Sequence, residues 1–304
     1  MQNIIPQIDK ELIKKELNSS TFLRHTRKSD NEIYCVNVHN APNTIREIGR
    51  LREITFREAG GGTGNAYDLD EFDLDDLCYE QLVLWSPEDE EIVGGYRYIL
   101  CDKAIQGNEI KLSTAHYFSF DERFLNDYLP VTIELGRSWI QPKFQPANNY
   151  RKGLFALDNI FDGLGGLIRK YPSVQYFFGK FTMYPSYAPE ARNYLLEFLN
   201  HYFPDTENLV KPLRPLLIDD SEISYAQREL KGLEYKDGYR KLNAFVKEKG
   251  EFIPPLVNVY MNLSPTMKVF GTCINDDFGG VEETGILIKI EDIFEDKKER
   301  HLRY

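Results

Sequence analysis

The stretch 131–183 constrains the fold more than any other part of the chain. Val131–Ile140 (VTIELGRSWI) has the apolar, β-branched character of a buried strand. After a polar turn, Leu154, Leu157, Phe161, Leu164 and Ile168 recur at helical spacing, predicting a helix that stops before Pro172. Val174–Met183 then reads as an aromatic-rich strand. Strand, helix and strand in that order form a crossover between parallel neighbours, which commits the chain to a mixed α/β sheet.

The segments around this unit are consistent with that layout. Ile33–Val38 predicts a first strand. Thr44 and Glu47 have capping-box spacing, with Ile45, Ile48 and Leu51 on the apolar face of the helix that follows. Arg52 and Phe56, four apart, share one side of it. EQLVLWS and EIVGGYRYIL flank a Pro-Glu-Asp-Glu turn and predict a hairpin over Glu80–Ser86 and Glu91–Leu100. Residues 189–203 form a second amphipathic helix, and 256–263, 268–274 and 286–290 read as a helix or strand followed by two closing strands. Residues 1–32 form a polar arm, 33–304 a single domain, and the charged stretch 205–250, with Pro212 and Pro215, an insertion within it. Gly60-Gly61-Gly62-Thr63-Gly64-Asn65 fits no phosphate-binding pattern, and reads as a flexible loop able to fold over a ligand.

Composition removes several function classes. A net charge of −11 over 304 residues argues against a general nucleic-acid binder. Cys35, Cys78, Cys101 and Cys273 have no zinc-ligand spacing, so no metal site is expected, and free thiols imply a reducing compartment. The opening MQNIIPQIDKELIKKEL lacks the apolar core of a signal peptide, and no run of about 18 apolar residues is present. A cytoplasmic protein is therefore expected. No G-x-S-x-G elbow supports a serine hydrolase.

Three groups of residues carry candidate chemistry. Glu134-Leu135-Gly136-Arg137 places two charges in a strand whose neighbours Ile133, Leu135 and Trp139 are apolar. A regular strand would send Glu134 and Arg137 to opposite faces, and Gly136 permits a bulge that brings them together. Tyr150-Arg151-Lys152-Gly153 begins a helix, where unpaired N–H groups and added positive charge suit an anion, with Gly153 allowing close approach. Arg52, Asp73, Asp76 and Arg97 lie on elements that can meet in a buried polar network.

Together these segments resemble a family. Arg52…Phe56, the acidic stretch through Asp73 and Asp76 into Gln81-Leu82-Val83-Leu84, and Gly94-Gly95-Tyr96-Arg97 carry the first part of the resemblance. Glu134-Leu135-Gly136-Arg137-Ser138, Tyr150-Arg151-Lys152-Gly153, Pro254-Pro255-Leu256…Tyr260 and Asp276-Asp277-Phe278-Gly279 carry the rest. The chain resembles the GNAT-related N-acyltransferases that make ornithine lipids and N-acyl amino acids, also called hemolysin-like, and is more distantly similar to acyl-homoserine-lactone synthases. The resemblance covers residues 44–203 and 252–292; the segment 205–250 falls outside its pattern.

The resemblance implies a GNAT-like, mostly antiparallel central sheet with splayed parallel strands, flanked by helices. It implies an N-acyltransferase moving a long-chain, 3-hydroxy type acyl group from an acyl carrier protein or coenzyme A thioester. The acceptor is the α-amine of a small amino acid of the glycine or ornithine type, as a first step of amino-lipid synthesis. Glu134 is the candidate to take the amine's proton, directly or through water. Arg137 pairs with an acid or clamps the acceptor carboxylate, with Arg52 and Arg97 as alternatives. Tyr150, Arg151, Lys152 and Gly153 hold the pantetheine phosphate. Lys143, Arg169 and Lys170 face an acidic carrier protein, and an amino-lipid product implies transient contact with the inner membrane surface. Tyr176, Phe177, Phe178 and Phe181 either line an acyl tunnel or fill the core. Two other readings stay open: an acetyl-coenzyme A-dependent N-acetyltransferase of a small amine, and a binding protein that kept the fold without the chemistry.

Overall fold

The structure, a computed structural model, describes every residue except 108, 149, 154, 303 and 304, and the backbone but not the side chains of Tyr150 and Arg151. In chain order the elements are α1 (Lys10–Glu16), β1 (Phe22–His25), β2 (Glu32–Val36), α2 (Pro42–Glu58), α3 (Glu71–Leu74), β3 (Glu80–Ser86), β4 (Glu91–Leu100), β5 (Ile105–Gln106), β6 (Glu109–Ile110), β7 (Phe118–Phe120) and β8 (Thr132–Ile140). There follow α4 (Tyr150–Gly153), α5 (Ala156–Lys170), β9 (Tyr176–Met183), α6 (Pro189–Tyr202), β10 (Val210–Pro212), α7 (Asp220–Leu230), α8 (Tyr235–Glu248), α9 (Pro255–Met261), β11 (Lys268–Asn275), β12 (Val281–Lys289) and α10 (Glu295–His301). The chain is mixed α/β, with mostly antiparallel strands flanked by helices. It divides into two compact units, one of Met1–Ser113, Ile133–Val174 and Glu295–Tyr304, the other of Thr114–Thr132 and Gln175–Phe294.

In the first unit β1, β2, β3, β4 and β8 are successive antiparallel neighbours. The helix α5 lies against β1, β3 and β4, because its apolar stripe has to leave water. Ile160, Leu164 and Leu167 are buried there, as are Leu82, Leu84, Tyr96 and Tyr98 of the hairpin. The helix α10 packs on α5, where His301 Nδ1 lies 2.8 Å from Asp162 Oδ1.

Two local expectations fail in this unit. The helix α2 starts at Pro42, two residues before Thr44, since proline suits a first turn whose N–H groups have no helical partner. Its cap comes from far along the chain. The Glu16 carboxylate accepts from the N–H groups of Asn43 and Thr44 at 3.0 and 2.7 Å, which ties the end of α1 to the start of α2. Glu47 pairs with Arg50 and accepts from the Ile8 N–H. The glycine-rich loop is also fastened. Buried Glu53 accepts from Thr63 N–H, Thr63 hydroxyl and Gly64 N–H at 3.1, 2.8 and 2.8 Å, while Arg57 bridges Glu53 to the Asn65 carbonyl. A loop held by a buried carboxylate is not free to fold over a ligand.

In the second unit β9, β12 and β11 are antiparallel neighbours and β10 pairs with β7. Phe178 meets Phe124 and Phe270 edge to face, with ring centroids 5.2 and 6.0 Å apart. Phe177, Phe178 and Phe181 are all buried, which fits the core role. The charged stretch 205–250 supplies β10, α7 and α8, and both helices pack on α6. Ala226, Leu230, Leu242 and Val246 are buried, and Tyr194 stacks on Phe245 at 4.5 Å. Its charge lies on the outer faces of helices that share this unit's core.

Candidate active site

The strand β8 does not run straight past β4. Arg97 lies opposite Gly136 and Gly95 opposite Trp139, so β8 spends one more residue than β4 over the same interval. That is a bulge. Its strained residue is Arg137, at φ +47°, and not Gly136. The kink carries the Arg137 guanidinium to Asp68 and Asp70, at 3.1 and 3.7 Å.

Those carboxylates belong to a network of three arginines and three aspartates. Arg52 Nε donates to Asp68 at 2.8 Å and Arg52 Nη1 to Asp73 at 3.1 Å. Arg97 Nη1 reaches Asp70 at 2.5 Å and Asp73 at 3.1 Å. Gln81 donates a further hydrogen bond to Asp73 at 2.8 Å. Arg52, Asp68, Asp73 and Arg97 are all buried, so each charge depends on the others for the solvation it has lost. Burial works to raise the Asp68 and Asp73 carboxyls, but the guanidinium groups of Arg137 and Arg52 at Asp68, and of Arg52 and Arg97 at Asp73, hold both below the ordinary carboxylate range.

Tyr79 joins this network to Glu134. The Arg97 guanidinium lies over the Tyr79 ring, 5.1 Å from its centroid. The Tyr79 hydroxyl donates to Glu134 Oε1 at 3.2 Å and accepts from the Ser113 N–H at 2.9 Å. Burial, and then the Glu134 charge, push the Tyr79 phenol well above its usual range, so it stays protonated and donating. The Ser113 hydroxyl makes a 2.5 Å hydrogen bond to the same Glu134 oxygen. Glu134 itself is 0% exposed.

Several sequence expectations change. Asp76 is exposed, and among the described residues no ion pair joins it to the network; Asp68 and Asp70 stand where it was expected, and its carbonyl lies 3.3 Å from His39 Nε2. Arg52 and Arg97 are committed to aspartates inside the protein, so neither suits a clamp on the acceptor carboxylate. Arg137, whose side chain is 16% exposed, keeps that possibility.

At the helix start, the Lys152 ammonium is held by Asp89 at 2.6 Å and lies 3.7 Å from Glu88. It lines a cavity of about 260 Å³ whose wall also carries Asp30, Glu88 and Asp89. A β-carbon on Gly153 would lie 2.4 Å from Pro146 N, so packing against backbone, and not ligand approach, explains this glycine. Gly153→Ala should therefore destabilise the first unit by about 1–3 kcal/mol, the cost of overpacking, measured by urea unfolding. The side chains of Tyr150 and Arg151 lie outside the described residues. Lys143, expected to face a carrier protein, pairs with Glu91 at 2.9 Å.

Residues 51–151 match the acetyltransferase (GNAT) domain family. The chain is 52% identical over 308 residues to a glycine N(alpha)-acyltransferase of Phocaeicola vulgatus, covering 99% of this chain and 93% of that protein. It is 50% identical over 315 residues to one of Bacteroides thetaiotaomicron, covering 100% of this chain and 90% of the relative. The chain belongs to this GNAT-related N-acyltransferase family. It is thus an N-acyltransferase, and the buried carboxylate and arginine–aspartate network lie within or beside the matched GNAT segment. A solved CoA-dependent acyl-homoserine lactone synthase is also similar, at 14% identity and a TM-score of 0.33 over 68% of this chain and 90% of that one.

Four residues of this polar cluster escaped the sequence. Asp68 and Asp70 lie in the same acidic stretch as Asp73, and only the fold selects among them. Tyr79 and Ser113 carry no local signal at all; the structure places both against Glu134.

Proposed function

We propose that the protein acylates the α-amine of glycine with an acyl group delivered as a thioester. The observation that carries this reading is half-identity, over nearly the whole chain, to two proteins named for that reaction. The amine attacks the thioester carbonyl, the sulfur leaves, and Glu134 is the carboxylate that receives the amine's proton. Its setting supports the role: the hydroxyls of Tyr79 and Ser113 both bind it. Arg137 holds the glycine carboxylate, using a guanidinium edge at the partly exposed bulge while Asp68 and Asp70 steady the rest. Glycine brings no side chain to place, so an amine and a carboxylate are the only groups the site must grip.

The donor in this reading is a long-chain 3-hydroxyacyl group on an acyl carrier protein, and the product is the first intermediate of an amino lipid. The test is mass spectrometry of purified protein with 3-hydroxypalmitoyl carrier protein and a pool of glycine, serine, ornithine, lysine and glutamine. A product of acyl plus glycine supports the reading. A different acyl amino acid replaces the acceptor. An intact thioester, with turnover of acetyl-coenzyme A in its place, replaces the donor. In the same assay Arg137→Ala should raise the glycine KM by about 10-fold or more, in line with loss of a hydrogen bond to a charged group. The thioester KM should not move; the reverse pattern removes Arg137 from the acceptor site.

A further inference from the structure

Glu134 cannot meet a substrate itself, since none of its surface is exposed. Something has to carry a proton to it. We propose that the Ser113 hydroxyl is that carrier: it takes the proton from the acceptor amine and passes its own to Glu134. This rests on the reading of Glu134 as the proton acceptor.

Three observations lead to Ser113. Its Oγ is 2.5 Å from Glu134 Oε1, close enough for direct proton transfer. Its backbone N–H is bound by the Tyr79 hydroxyl, which also donates to Glu134, so both ends of the relay are positioned by one phenol. The third observation is the space that Gly136 leaves at the bulge. A β-carbon built on half-buried Gly136 would have as its nearest neighbours, beyond the adjoining residues, Ser113 Oγ at 3.9 Å and Arg97 Nε at 4.0 Å. Among the described residues the Arg97 Nε–H has no hydrogen-bond partner, although Arg97 is 3% exposed. A buried donor left unpaired is costly unless something else supplies an oxygen. The missing side chain of Gly136 thus leaves room for a small polar group between a hydroxyl tied to a carboxylate and an unsatisfied N–H. A thioester carbonyl seated there puts its oxygen by Arg97 Nε and leaves Ser113 Oγ for the attacking amine.

The step balances. The amine nitrogen forms the C–N bond and loses a proton to Ser113 Oγ as the Ser113 proton moves to Glu134 Oε1. The C–S bond breaks, its electron pair stays on sulfur, and the thiolate takes a proton from solvent. Glu134 later returns its proton by the same route.

The experiment compares wild type, Ser113→Ala, Ser113→Cys, Glu134→Gln and the double variant Ser113→Ala/Glu134→Gln, with glycine and a long-chain acyl thioester. Melting temperatures are recorded for all. Ser113→Ala should lower kcat about 10²-fold, the scale of lost proton transfer, with both KM values little changed. The double variant should be no slower than Glu134→Gln, because both lesions cut one path. Ser113→Cys, which keeps a transferable proton at that place, should fall between wild type and Ser113→Ala. Wild-type turnover in Ser113→Ala beside a slow Glu134→Gln overturns the relay and spares Glu134. Losses that multiply in the double variant, or a folded Cys variant no faster than Ala, also overturn it. Full activity in both single variants removes the Glu134 reading itself.

Discussion

Asp73→Ala is expected to cost the fold about 3–5 kcal/mol, the penalty for breaking a buried charge cluster from one side. Asp73 stands between Arg52 and Arg97, which are 0% and 3% exposed and so rely on it for the solvation they have lost. Asp68 and Asp70 remain, but they would then face three guanidinium groups. Urea unfolding at pH 7 measures the loss, and the melting temperature should fall by roughly 10 °C. A change below about 1 kcal/mol would mean the cluster relaxes and contributes little, as solvated pairs do.

The same cluster gives stability a pH dependence of known sign. The Asp68 and Asp73 carboxyls are lower in the folded protein than in the unfolded chain. The unfolded chain therefore binds protons first as pH falls, and the stabilisation these two supply is fully present above the ordinary aspartate range, near about 4. It is lost progressively as pH drops from there toward the depressed folded values. The gap between wild type and Asp73→Ala should accordingly be widest at neutral pH and narrow below about pH 4.

Glu134→Gln should lower turnover by about 10²-fold or more, the contribution of a general base, without unfolding the protein. Glutamine keeps the shape, and its carbonyl oxygen still accepts from the Ser113 and Tyr79 hydroxyls, so the packing at a fully buried position is preserved. What it cannot do is take a proton. Single-turnover measurement with saturating thioester isolates that step. A variant that unfolds instead, or one with wild-type turnover, makes Glu134 a structural carboxylate whose work is to hold Tyr79 and Ser113.

The regular elements were largely legible because their cause is local. The hairpin Glu80–Ser86 with Glu91–Leu100, the strand around Glu134 and the helices over α5 and α6 follow from apolar periodicity and turn residues, which act within a few positions. The cap of α2 was not legible, because Glu16 reaches it from an earlier element and a nearer capping pattern was present to mislead. The glycine-rich loop looked mobile for the same reason: its tether, Glu53, sits on a helix and has no sequence mark.

The sequence alone pointed to a mixed α/β fold, to charges at Glu134 and Arg137 interrupting an apolar strand, and to a polar group drawn from Arg52, Asp73, Asp76 and Arg97. Charges in apolar surroundings must find partners, and that rule can be applied before any coordinate is known. Which partners they find was decided only in three dimensions. Asp68 and Asp70 displaced Asp76, Arg137 and not Gly136 took the strained turn of the bulge, and Lys152 was claimed by Asp89. Ser113 and Tyr79 reached Glu134 from elsewhere in the chain. Hydrogen bonds and ion pairs act over about 3 Å of space, and no distance along the chain predicts which side chains will come that close.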